Sequence, residues 1–216
     1  MENRRIYYIS EFFGTFLLVF LGTGSVIISE EYNGIIQAFG IGIVFGVTVW
    51  LLVQFFGKFS DCHINPAVTI AFLWNKQIQF KQALLYVFFQ LIGALCASIC
   101  LHFLFEINQN LGNTLPSGSW QESFILEFFL SFALMMVILI STTQKVLLKF
   151  APFLIGSTVF LEAWLAGPIC GASMNPARSF GPAAVSENMF FLPLYILGPI
   201  SGMILAVVLL NFIYKN

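Results

Sequence analysis

Six stretches of about 20 mostly apolar residues constrain this chain more than anything else in it: residues 6 to 28, 35 to 57, 80 to 105, 121 to 142, 151 to 169 and 189 to 213. A hydrocarbon core about 30 Å thick takes about 20 helical residues to cross. Within lipid every backbone N–H and C=O must find a partner, so runs of this length cross as helices. Of the 216 residues 59% are hydrophobic and 9% charged, against about 25% charged in a soluble domain. The expectation is an all-α membrane protein, with residues 1–216 forming one transmembrane domain. The first run is too long for a signal-peptide core of about 7–15 residues and lacks a cleavage site of the A-x-A kind, so it reads as a retained span.

Six spans place both termini on one face. Arg4, Arg5, Lys58, Lys76, Lys81, Lys145, Lys149 and Lys215 fall on that face, whereas linkers 29–34 and 108–120 contain no Lys or Arg. The positive-inside rule makes that face cytoplasmic. Short linkers and termini point to a multi-pass protein of the plasma membrane, with a bacterial inner membrane the preferred setting. Scattered cations and a net charge of -1 offer no basic patch for nucleic acid. With His63 and His102 the only histidines and no paired Cys spacing, no metal site is expected, and no cofactor is implied. No nucleophile, base and orienting group converge in the motifs, which argues against an enzyme.

Two further segments are too short to cross. Each opens on the same tripeptide: Asn65, Pro66, Ala67 after the second span, and Asn175, Pro176, Ala177 after the fifth. Asn is a favoured N-cap and Pro suits the first helical position, so both read as helix starts. The ten residues from Asn65 to Trp74 would rise about 15 Å, half a bilayer. Glu11, in Ser10-Glu11-Phe12-Phe13, and Glu127, in Leu126-Glu127-Phe128-Phe129, occupy matching places in spans one and four. Residues 1–112 and 113–216 then form two repeats of three spans and one re-entrant half-helix each. An odd number of spans inverts the second repeat relative to the first, and the half-helices meet N-terminus to N-terminus near the midplane.

Irregular backbone at membrane depth is tolerated where it is buried in protein or lines a wet cavity. Carbonyls of Asp61, Cys62, His63 and Ile64, and of Gly171, Ser173 and Met174, are therefore expected to line a pore. If each Asn caps its own half-helix through its side-chain oxygen, its amide N–H groups stay free to donate to a solute. Each half-helix N-terminus carries about half a positive charge; two facing one another repel cations and turn a passing water's oxygen toward the asparagines, which breaks a proton-conducting chain. Arg178, three residues after Asn175, shares its helix face. Snorkelling at the rim is the bland alternative, but an intramembrane Arg usually marks a pathway, and the matching position in the first half is Val68. For Glu11 and Glu127, anchoring of the nearby loop through backbone N–H groups is favoured over a proton relay. Glu162 has no counterpart; it either faces the pore or satisfies a neighbouring loop.

The doubled motif, His63-Ile64-Asn65-Pro66-Ala67-Val68-Thr69 and Gly171-Ala172-Ser173-Met174-Asn175-Pro176-Ala177-Arg178-Ser179, closely resembles the aquaporin family over nearly the whole chain. The resemblance implies a homotetramer with a pore in each subunit, conducting water and small neutral solutes. It also implies a selectivity filter at Phe45, Ala163, Ala172 and Arg178, found by offset from the two Asn-Pro-Ala motifs. Water-selective members carry His where this chain has Ala163, so a wider and more apolar constriction is expected. Glycerol facilitators carry Asp after the filter Arg, where this chain has Ser179. The mixture resembles nodulin-like and related bacterial members, which pass glycerol-like polyols, ammonia or undissociated metalloid acids. Asp61 replaces a usual Gly of the first loop. The alternatives are a strictly water-selective channel and, more remotely, a secondary transporter.

Overall fold

The computed structural model describes residues 5–215; Arg4, counted above among the cytoplasmic cations, lies outside them. Its long helices are α1 (Arg5–Glu31), α2 (Gln37–Phe56), α4 (Phe80–Leu104), α5 (Trp120–Thr143), α6 (Ala151–Cys170) and α8 (Leu192–Lys215). Two short helices, α3 (Pro66–Trp74) and α7 (Pro176–Val185), follow α2 and α6, and a 3₁₀ turn at Leu148–Phe150 leads into α6. The six long helices are apolar enough to span a bilayer, and among the described residues no strand occurs. The expected spans therefore stand, with ends moved by up to three residues.

The ends have local causes. Asn65 sits at extended φ and ψ and its side chain accepts from the Ala67 N–H, while Pro66 takes the first helical position. Asn175 does the same for α7, accepting from Ala177 and Arg178. Ser119 and Glu122 form a reciprocal capping box at the start of α5, which satisfies two otherwise orphaned N–H groups. Gly171 closes α6 at φ 84, a left-handed geometry that glycine adopts without steric cost.

Helix pairing follows where side chains are smallest. The pairs α1 with α4, α2 with α6 and α5 with α8 pack most extensively, and each short helix packs on the other half's last long helix, α3 on α8 and α7 on α4. Exchanging the halves leaves this pattern unchanged. Gly93 of α4 lies against the Phe12 carbonyl of α1, and Gly202 of α8 against the Phe128 carbonyl of α5. Across the α2–α6 pair, Gly46 and Gly156 each face the other's carbonyl oxygen. Without a hydrophobic drive between helices in lipid, close approach of this kind at small residues supplies the packing energy. The inward stripe of Leu18, Val49, Leu134, Ile138, Ile155 and Val159 lines a central passage, while many Phe, Leu and Ile side chains face outward, exposed.

Candidate functional site: a capped pair of half-helices over a pore

The passage has roughly 120 Å³ of space for the centres of water molecules, well above the about 10–15 Å³ that holding one water takes. Its wall is apolar along the spans and polar where the two loops enter: Asp61, Cys62, His63, Ile64 and Asn65 on one side, Ala172, Ser173, Met174, Asn175 and Arg178 on the other.

Both loops hold an unusual backbone. Cys62 and Ile64 lie at φ 47 and 44, and Ala172 and Met174 at φ 40 and 51. For residues with a Cβ this left-handed region costs roughly 1–2 kcal/mol each, so something must hold it. The holders are the two buried carboxylates. Glu11 Oε1 accepts from the His63 N–H at 2.8 Å and Oε2 from the Ile64 N–H at 2.7 Å. Glu127 Oε1 and Oε2 accept from Ser173 and Met174 at 2.7 and 2.8 Å. Glu11 is further fixed by Gln90 Nε2 at 2.6 Å, which also donates to Thr69 Oγ1. His63 Nδ1 lies 3.1 Å from the Thr69 hydroxyl, a contact with the half-helix.

The asparagines depart from expectation in one respect. Asn65 Nδ2 donates to the Met174 carbonyl and Asn175 Nδ2 to the Ile64 carbonyl, both at 2.8 Å. Each amide therefore spends one of its two N–H groups tying the loops together and keeps one for the pore. The carbonyls of Ile64 and Met174 are correspondingly shared with these bonds. Gly171 also serves as the left-handed cap of α6, its N–H donating to the Gly167 carbonyl.

Phe45, Ala163, Ala172 and Arg178 line the same passage. The Arg178 guanidinium sits over the Phe45 ring at 5.2 Å, a cation–π distance, and its Nη1 donates to the Gly112 carbonyl at 2.9 Å. Arg178 is 4% exposed, so it is not a rim residue. Ser179 bonds Thr114 and Ser173 through hydroxyls, and Tyr195 donates to the Cys170 carbonyl at 2.8 Å. Glu162 matches neither expectation: it does not line the passage, and both its oxygens are buried without a partner among the described residues. Asp61 is not left-handed, so it fits without the freedom of Gly; its Oδ2 accepts from Tyr86 Oη at 2.8 Å and Gln82 Nε2 at 3.1 Å.

The profile of the major intrinsic protein family matches residues 3–210. The chain belongs to that family. Among its relatives, the aquaporin NIP1-1 of Oryza sativa subsp. japonica is 40% identical over 90% of this chain and 69% of its own length, and nodulin-26 of Glycine max is 40% identical over 91% and 73%. The X-ray structure of the aquaglyceroporin from Plasmodium falciparum superposes with a TM-score of 0.89 at 22% identity, covering 98% of this chain and 97% of that one. That likeness establishes the aquaporin fold of this multi-pass membrane protein of the major intrinsic protein family, a family of channels.

Proposed function

We propose that this protein is a passive channel for water and small uncharged solutes such as glycerol-like polyols, ammonia or undissociated metalloid acids, excluding protons and ions. The observation that carries the proposal is the meeting of two Asn-capped half-helices, N-terminus to N-terminus, over a passage lined by Arg178. The two positive helix ends and the guanidinium repel cations, and the remaining asparagine N–H groups orient a solute oxygen. The filter is Phe45, Ala163, Ala172 and Arg178. Ala163 leaves its corner free of polar groups, which supports passage of solutes larger than water. The likeness to nodulin-26 agrees with the resemblance of the filter to nodulin-like members, and it supports this reading over strict water selectivity.

In the same reading, residues 1–112 and 113–216 are inverted repeats, supported by the exchange symmetry of helix pairing. Subunits assemble as a homotetramer in the plasma membrane, a bacterial inner membrane by the compactness of the linkers, with cytoplasmic termini by the distribution of Lys and Arg. A secondary transporter would need ion-binding carboxylates grouped in its cavity and helices free to rock. Asp61 is the one carboxylate in the described lining, and it is taken up by Gln82 and Tyr86; the helix pairs are closely packed at glycines. No catalytic constellation argues for an enzyme.

The test is stopped-flow light scattering on proteoliposomes against empty vesicles. Fast shrinkage under an impermeant osmolyte and fast reswelling under a glycerol gradient are expected. Fast shrinkage without reswelling would mean a strictly water-selective pore; shrinkage no faster than in empty vesicles would remove the channel reading.

A further inference from the structure

Asp61 and Arg178 are the acidic and the basic residue among the described lining of the passage, and they stand at opposite ends of it. Asp61 is held by Gln82 and Tyr86 near the start of α4. Arg178 is held by Gly112, in the linker beyond the other end of α4. Between them lie the N-termini of α3 and α7, each worth about half a positive charge.

This arrangement leaves a problem that helix ends and Arg178 do not solve. A positive pore centre rejects cations but favours anions. The face on which Asp61 sits is also the lysine-rich one, where exposed Lys58, Lys76, Lys81, Lys145 and Lys149 draw anions toward the mouth. Resting on the channel reading above, we propose that Asp61 is the anion-rejecting residue of the pore, a fixed negative charge that small monoanions must pass before reaching the positive centre.

Two observations separate this role from a purely structural one. First, the tie to tyrosine needs no carboxylate: in the second half the equivalent bond runs from Tyr195 to the backbone carbonyl of Cys170, and only in the first half is the acceptor a charged side chain. Second, the partners of Asp61 are neutral. Tyr86 and Gln82 both donate to Oδ2, so they fix the direction of the charge without cancelling it. A unit charge about 4 Å from a passing ion changes its local occupancy about five-fold even at the dielectric of water, and more in the narrower, drier passage.

The experiment compares wild type, Asp61→Asn and Asp61→Glu in proteoliposomes, measuring chloride influx with a halide-quenched dye, potassium leak and osmotic water flux on the same vesicles. Chloride influx per unit of osmotic water flux at least five-fold above wild type in the Asn variant is expected, with potassium leak unchanged; the Glu variant keeps rejection. If the Asn variant does not insert, Asp61→Gly carries the same expectation. Chloride influx unchanged in the neutral variant would overturn the proposal. So would chloride and potassium leaks rising together, since that marks a loosened loop and not a lost charge. Slow water flux in the wild type would instead overturn the channel reading itself.

Discussion

The side-chain amide of Asn175 donates to the backbone carbonyl of Ile64 at 2.8 Å, joining the two halves of the chain where the two half-helices meet. The same side chain caps α7 through its oxygen, so a single residue fixes a helix start and an inter-loop contact. Replacing Asn175 with Ala removes the cap, worth about 0.5–2 kcal/mol, and a buried bond worth about 1 kcal/mol. Thermal unfolding in detergent is expected to show a destabilisation of about 1.5–3 kcal/mol, and osmotic water flux should fall. Asn175→Asp keeps the acceptor and loses the donor, so it should retain most of the cap's contribution and still lose the inter-loop bond. Equal stability in the Ala and Asp variants would show that the cap contributes nothing.

Glu127 satisfies two backbone N–H groups of residues whose loop contains two non-glycine residues at left-handed φ, Ala172 and Met174. Glu127→Gln turns one acceptor into a donor facing an N–H. The expected loss is about 1–3 kcal/mol for the unpaired group, with reduced water flux as the loop relaxes. Glu11→Gln should cost less, because Gln90 already donates to that carboxylate and can turn its amide to accept from the new one. Unfolding midpoints of the two variants decide this ordering.

Much of this was legible before the structure, and the reason is periodicity and local chemistry. The six spans follow from hydropathy over windows longer than any error at their ends, and Asn65-Pro66 carries its own capping chemistry. Glu11 and Glu127 stood out because carboxylates in apolar helices need partners. What stayed hidden was long-range. Nothing near Asn65 in sequence announces Met174, and nothing near Asp61 in sequence announces its tie to Tyr86. The left-handed φ of Gly171, which ends α6, likewise has no signal in the motif that follows it.

Glu162 gives a prediction of opposite sign. A buried carboxyl group without a protein partner is costly, and an apolar residue of similar size removes the cost. Glu162→Leu should raise the unfolding temperature while leaving water flux close to wild type. A lowered unfolding temperature would mean that the carboxyl group has a stabilising partner in the membrane-embedded protein.

Gly93 faces the Phe12 carbonyl so closely that a Cβ there would overlap it, whereas a Cβ at Gly167 meets nothing within 4 Å. Gly93→Ala is expected to cost about 1–3 kcal/mol by overpacking, and Gly167→Ala close to nothing or a slight gain from helix propensity. Both are read from unfolding in detergent, and equal effects would refute the assignment of close backbone packing to Gly93.

Ala163 is the lining residue whose change should redraw selectivity. Ala163→His places a larger polar ring in the passage beside Phe45 and Arg178; glycerol flux should fall at least ten-fold while water flux falls less than three-fold. Equal losses would mean that the narrowest point lies elsewhere.

The glycines that bring helix backbones together all act on surfaces turned away from the passage, and the residues that decide what passes are a handful of side chains turned toward it. Helix packing and the choice of solute are thus written largely in different residues, and they meet only at the loop residues Asn65, Asn175 and Arg178. A lineage built on this frame can exchange one traveller for another by altering three or four letters, without renegotiating the architecture that keeps the corridor open.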